Sequence, residues 1–100
     1  MAATQPCLSD AGFEVSTNED DLDYVAMEAK EGALYATKGE DSVTIAFERT
    51  EADAGRTRDA YALFVGDAAE DILSQDGNAA ILWDGTPTDD ERQVVNDCLG

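Results

Sequence analysis

Apolar residues recur at helical spacing, then in alternation, then at helical spacing again, and turn residues mark each change of period. Thr4 to Ala11 suits a short helix, with Thr4 as its cap, Pro6 in the first turn and Gly12 as the left-handed stop. Phe13-Glu14-Val15 reads as a brief strand. Ser16 and Glu19 form a capping-box pattern, and Leu22, Val25, Ala26 and Ala29 fall on one helical face before Gly32, so a helix is expected over 20–31. The rival strand through Val25, Met27 and Ala29 would put Tyr24 and Ala26 on the same face as Glu28 and Lys30, a poorer alternation. From Ala33 the period becomes two. Residues 33–38 and 42–49 flank Gly39-Glu40-Asp41, and Val43, Ile45 and Phe47 alternate with Thr44, Ala46 and Glu48, the pattern of a β-hairpin.

Thr50 and Asp53 then open a helix in which Tyr61, Phe64, Val65 and Ala68 share the expected inner face. Gly55 weakens its first turns by about 1 kcal/mol relative to Ala, and Gly66-Asp67 bends or restarts it before Ile72 and Leu73. Asp76-Gly77 turns the chain into a strand over 78–83, and Asp84-Gly85-Thr86-Pro87 is a further turn. Thr88 and Glu91 make the last capping box, and Val94, Val95, Cys98 and Leu99 line the inner side of a terminal helix.

Without the two end helices, the order is strand, helix, strand, strand, helix, strand. This predicts a single α+β domain over 1–100: a ferredoxin-like split βαβ (βαββαβ) antiparallel sheet with additional N- and C-terminal helices. In that topology the first and last strands are neighbours, which brings the end helices together. Each of those helices carries one of the two cysteines. A disulfide between Cys7 and Cys98 would close nearly the whole chain, a constraint of about 4 to 5 kcal/mol in the chain-entropy view. The alternative is two reduced, buried thiols.

Charge changes the picture most. There are 23 Asp and Glu against 6 Lys and Arg, no His, and a net charge of −17 on 100 residues. Asp outnumbers Glu 14 to 9, and Lys occurs only at positions 30 and 38. The composition, rich also in Ala and Thr, resembles that of salt-in halophilic archaeal proteins. Self-repulsion of this density is screened within about 3 Å near 1 M salt. Two other origins of acidity are a disordered tail, which the 43% apolar, periodic sequence argues against, and a DNA mimic offering carboxylates in place of phosphates. No stretch approaches the ~20 apolar residues of a spanning helix, and Met1 to Pro6 lacks a signal-peptide start, so no membrane association and a cytoplasmic location are expected.

Candidate chemistry is sparse. Without His there is no Ser-His-Asp or Cys-His catalysis, and no Gly-rich phosphate loop is present. No Cys-x-x-Cys occurs, and two cysteines without His make a poor zinc set. Carboxylate pairs such as Asp20-Asp21 and Asp89-Asp90 read as solvated surface, and residues 18–23 lack the spacing and central Gly of a calcium loop. No catalytic, metal or cofactor residues are therefore assigned. Arg49, Arg56 and Arg58 are anion-site candidates at a helix start, set against the simpler reading that they neutralise Glu48, Glu51, Asp53 and Asp59. Three clustered arginines are too few for nucleic-acid binding through phosphates. Trp83 reads as the main space-filler of an Ala-rich core or else a partner anchor, and Tyr24, Tyr35 and Tyr61 as core or rim.

Two functional classes follow. The first is a small non-enzymatic protein-interaction or regulatory module, contacting a protein or a second copy through an exposed sheet face or hairpin edge. If the end helices cover that face, a closed monomer is expected. The second is a small-ligand binder or enzyme with a carboxylate, Glu48 or Asp84, in a pocket between sheet and helices.

Overall fold

The computed structural model describes residues 3–99, with the side chains of Glu19, Tyr24, Ala68 and Glu70 outside the description. The sequence expectations for Tyr24 and Ala68 as packing residues, and the Glu19 half of the first capping box, therefore lie outside the described residues. Chain order is α1 (Thr4–Asp10), β1 (Glu14–Ser16), α2 (Tyr24–Met27), β2 (Ala33–Lys38), β3 (Asp41–Phe47), α3 (Glu51–Val65), α4 (Ala69–Ile72), β4 (Leu73–Asp76), β5 (Ala79–Trp83) and α5 (Asp89–Leu99). Single 3₁₀ turns occupy Glu19–Asp21 and Gly66–Ala68.

The five strands form one wholly antiparallel sheet in the order β1-β2-β3-β5-β4. The expectation of an α+β domain is met, but the split-βαβ arrangement is not. β1 is an edge strand beside β2, on the far side of the sheet from β5, instead of a neighbour of the last strand. The physical reason is a fifth strand. Leu73–Asp76 pairs with Ala79–Trp83 through a two-residue Gly77-Asn78 turn, with Gly77 at φ 57, so the slot beside β5 is filled by its own hairpin partner. Gly39-Glu40 joins β2 to β3 in the same way, with φ 63 at Gly39.

Register sorts the side chains onto two unlike faces. Leu34, Ala36, Val43, Ile45, Phe47, Ile81 and Trp83 form the bulky face, against which Leu8 of α1 and Val95 of α5 are buried. Trp83 is thus a core residue. Ala33, Ala46 and Ala80 line up across three strands on the other face and admit α2 and α3 at close range, with Ala26 and Ala54 buried there. Helices pack on both faces, so among the described residues neither sheet face is left wholly open. The β2–β3 hairpin is flanked by β1 and β5, and the free edges are strands of three and four residues, too short to template an extended partner.

The terminal helices meet, as the sequence anticipates, though by packing on the same sheet face and not through neighbouring strands. Cys7 and Cys98 lie at disulfide distance, S–S 2.10 Å with Cα atoms 5.6 Å apart, and join α1 to α5. Thr4 is not the α1 cap. Its side chain is buried and its hydroxyl donates to the Cys98 carbonyl at 3.4 Å, a second tie between the chain ends.

The helix expected over 20–31 is reduced to four residues, and its cap is Asp23, which accepts from the Ala26 N–H at 2.8 Å. Ser16 instead donates to the Asp21 carboxylate and accepts from the Asn18 N–H. Beyond Met27 the Glu28 and Ala29 N–H groups still close tight turns onto the Val25 and Ala26 carbonyls, but the next two donors are claimed elsewhere. The Lys30 N–H bonds the Glu48 carboxylate at 3.0 Å, and the Glu31 N–H bonds the Phe47 carbonyl at 2.9 Å. The Thr50 cap of α3 forms as the pattern predicts, and Thr88 and Glu91 complete both halves of their capping box at 3.1 and 2.8 Å.

Candidate functional site

Shortening of α2 decides which surfaces are open. The buried side of α3 runs through Ala54 and Tyr61, with Thr57 and Val65 half-buried along the same line. Tyr61 donates its hydroxyl to both Asp23 oxygens, at 2.9 and 3.0 Å, which fastens α3 to the cap of α2. Phe64 lies two turns from Thr57, on the flank of α3 that faces α2. Four residues of α2 border it through Val25 without covering it. Phe64 is 78% exposed and Leu63 87%, where the sequence pattern places Phe64 inside. A signal for this existed: Tyr61 to Val65 are apolar all round the helix, more than one face can bury.

Beside Phe64, the residues Val25, Tyr61 and Leu82 with Asp23 enclose an apolar groove of about 250 Å³. It adjoins a second cleft of about 320 Å³, which shares Asp23 and Leu82 and runs over the sheet surface beyond the end of α3. Tyr35, Ser42, Thr44, Asp21 and Asp84 contribute to that second cleft.

Glu48 and Asp84, the two carboxylates singled out in the sequence, lie in separate places. Asp84 is exposed in the cleft just described. Glu48 is buried on the floor of a third cleft, about 670 Å³, between the link after α2 and the first turns of α3. One Glu48 oxygen accepts from the Lys30 N–H and the other from the Thr57 hydroxyl at 2.9 Å, and its backbone carbonyl accepts from the Asn78 side chain at 2.7 Å. The carboxylate is a brace joining β3, the α2–β2 link and α3.

The three arginines do not converge on an open anion site. Arg49 pairs with Glu31 at 3.9 Å, Arg56 with Asp53 at 2.8 Å and Arg58 with Asp59 at 3.5 Å, and of the three Arg56 alone lines the Glu48 cleft. Among the described residues no group of three or more Cys, Asp or Glu is gathered for a metal ion, and no helix is long and apolar enough to cross a membrane. Compared with models of known families, with curated proteins and with solved structures, the chain finds no match.

Proposed function

We propose that this chain is a small halophilic, non-enzymatic protein-interaction or regulatory module of a high-salt, archaeal-type cytoplasm, and that it docks its partner on the Leu63–Phe64 end of α3. The observation that carries this is the exposure of two adjacent large apolar side chains beside an apolar groove, in a molecule whose remaining surface is dominated by carboxylates. Leaving such a side chain in water forgoes about 1.5–3 kcal/mol of burial each, and exposed large apolar side chains beside an apolar groove favour a contact surface. Helices pack on both sheet faces and the free edge strands are short, so the surface is built on a helix end beside the cleft left over the sheet. Self-association through it brings −17 against −17 and therefore needs salt.

Photo-crosslinking from position 63 in the native cell, with position 93 on α5 as the control face, tests the assignment. A discrete adduct from 63, absent from 93 and lost on Phe64→Ser, is the expected result. Equal labelling from both positions overturns it. Sedimentation velocity in multimolar KCl shows whether the adduct is a second copy.

The alternative of a small-ligand site rests on the buried Glu48 carboxylate with Lys30 and Arg56 at the mouth of its cleft. The two protein donors already held by that carboxylate favour a structural role. A ligand whose affinity falls with Glu48→Gln while the unfolding midpoint stays constant would support the ligand reading instead.

A further inference from the structure

The two adjoining clefts beside Phe64 have complementary chemistry. The smaller is apolar, walled by Val25, Phe64 and Leu82. The larger carries Asp21, Asp23 and Asp84 together with the Tyr35 ring, and neither cleft has a Lys or Arg in its lining. None of the three aspartates takes part in an ion pair among the described residues. These three carboxylates are not grouped for a metal ion, so a compact divalent cation is a poor fit and a spread-out cation a better one.

A second, independent observation points the same way. Ser42 and Thr44 line the larger cleft and are only 5% and 8% exposed. Neither hydroxyl has a hydrogen-bond partner among the described residues, yet no fully enclosed side-chain oxygen or nitrogen lacks one, so both oxygens open into the cleft. Two buried hydroxyls, the Asp84 carboxylate and the Tyr35 side chain border one volume, to which Asp21 and Asp23 add charge while already accepting from Ser16 and from Ala26 and Tyr61 respectively. A planar guanidinium, with five N–H donors and a face that stacks on aromatic rings, matches that arrangement better than a point-like ammonium.

Building on the interaction reading, we infer that the partner segment presents an arginine next to a large apolar residue, the guanidinium entering the cleft of Asp84 and Thr44 and the apolar side chain entering the groove beside Phe64. Charge complementarity selects this occupant over a second copy of the chain, since a second copy brings its own excess of carboxylates.

Titration of the ¹⁵N-labelled full chain with acetyl-Leu-Arg-amide tests this, at the lowest KCl concentration at which circular dichroism shows the fold. The comparison probes are acetyl-Leu-citrulline-amide, neutral and nearly isosteric, and acetyl-Gly-Arg-amide. The arginine dipeptide is expected to shift the amides of Ser42, Thr44 and Leu82 saturably. It should bind about tenfold tighter than the citrulline dipeptide, because charge-assisted hydrogen bonds are lost with the charge. Asp84→Asn should weaken it severalfold without moving the unfolding midpoint, and the Gly-Arg probe should bind more weakly than Leu-Arg. Equal affinity for the arginine and citrulline probes, or an unchanged affinity in Asp84→Asn, overturns the arginine assignment, as does the absence of saturable shifts. A crosslinked adduct from position 63 together with any of these negative results leaves the docking face standing and removes only the guanidinium, whereas loss of both removes the face.

Discussion

Tyr61 shows what one side chain contributes to holding the helical layer in place. Burial first, then the hydrogen bond to Asp23 and the nearness of that charge, hold its phenol neutral far above the ordinary value of 10.0. A raised pKa of this kind means that the stabilisation is fully present below about pH 10 and is lost as pH rises towards the shifted value. Tyr61→Phe is therefore expected to cost about 1–2 kcal/mol near neutrality, read from denaturant midpoints, and to remove the native-state delay in tyrosinate absorbance above pH 10. Asp41 is shifted in the same direction but with the opposite consequence at neutral pH. Its contact with the Glu91 carboxyl, then burial, then the charges of Glu91 and Glu40 push it up from 3.8, while Glu91 is held down, chiefly by the Thr88 N–H. A carboxyl raised on folding adds stability below its unfolded pKa and loses it as pH rises through the folded one, so at neutral pH ionised Asp41 opposes the fold. Asp41→Asn should have a higher melting temperature than the parent at pH 7, and the difference should vanish below about pH 4.

At the scale of elements, local signals were legible wherever a cap or a tight turn governed the outcome. The Thr50 and Thr88 caps, the Gly39 hairpin and the break at Gly66, after which the helix restarts as α4, all lie where composition and spacing put them. The errors came where a distant group claimed a backbone donor. Residues 28–31 have helical periodicity, but Glu48 and Phe47 take the N–H groups of Lys30 and Glu31, and the periodicity of 20–31 yields only one turn with two tight turns after it. Leu73–Asp76 lacks an alternating apolar signal of its own, and it is a strand because β5 offers it a free edge. Gly55 gives a clean test of element-level physics. A Cβ at this position meets only the Gln75 side-chain oxygen at 3.6 Å, ordinary contact in the helix interior. Gly55→Ala is thus expected to raise stability by about 0.5–1 kcal/mol, measured by equilibrium unfolding.

The whole molecule is governed by its charge and by the tie between its ends. With net −17 on 100 residues, lowering KCl from multimolar to millimolar lengthens the reach of every repulsion, and the helix and sheet signals in circular dichroism should collapse. Retention of the fold in nearly ion-free water would refute the halophilic assignment. Cys7 and Cys98 are 91 residues apart, so reduction, or the Cys7→Ala/Cys98→Ala pair, should lower unfolding free energy by about 4 to 5 kcal/mol on the chain-entropy account. Measurement at high salt, with and without reductant, separates this from the charge effect.

The sequence alone determined the acidity of the protein, its mixed α and β content, the helix starts at Thr50 and Thr88, most tight turns, and the pairing of its two cysteines as one of two alternatives. These depend on neighbours a few residues apart or on composition, and both are written along the chain. Strand order, the truncation of α2, the outward turn of Phe64 and the separation of Glu48 from Asp84 were decided only by tertiary structure. Each depends on which long-range partner takes a backbone donor or covers a helix flank, and spacing along the chain carries no record of that competition.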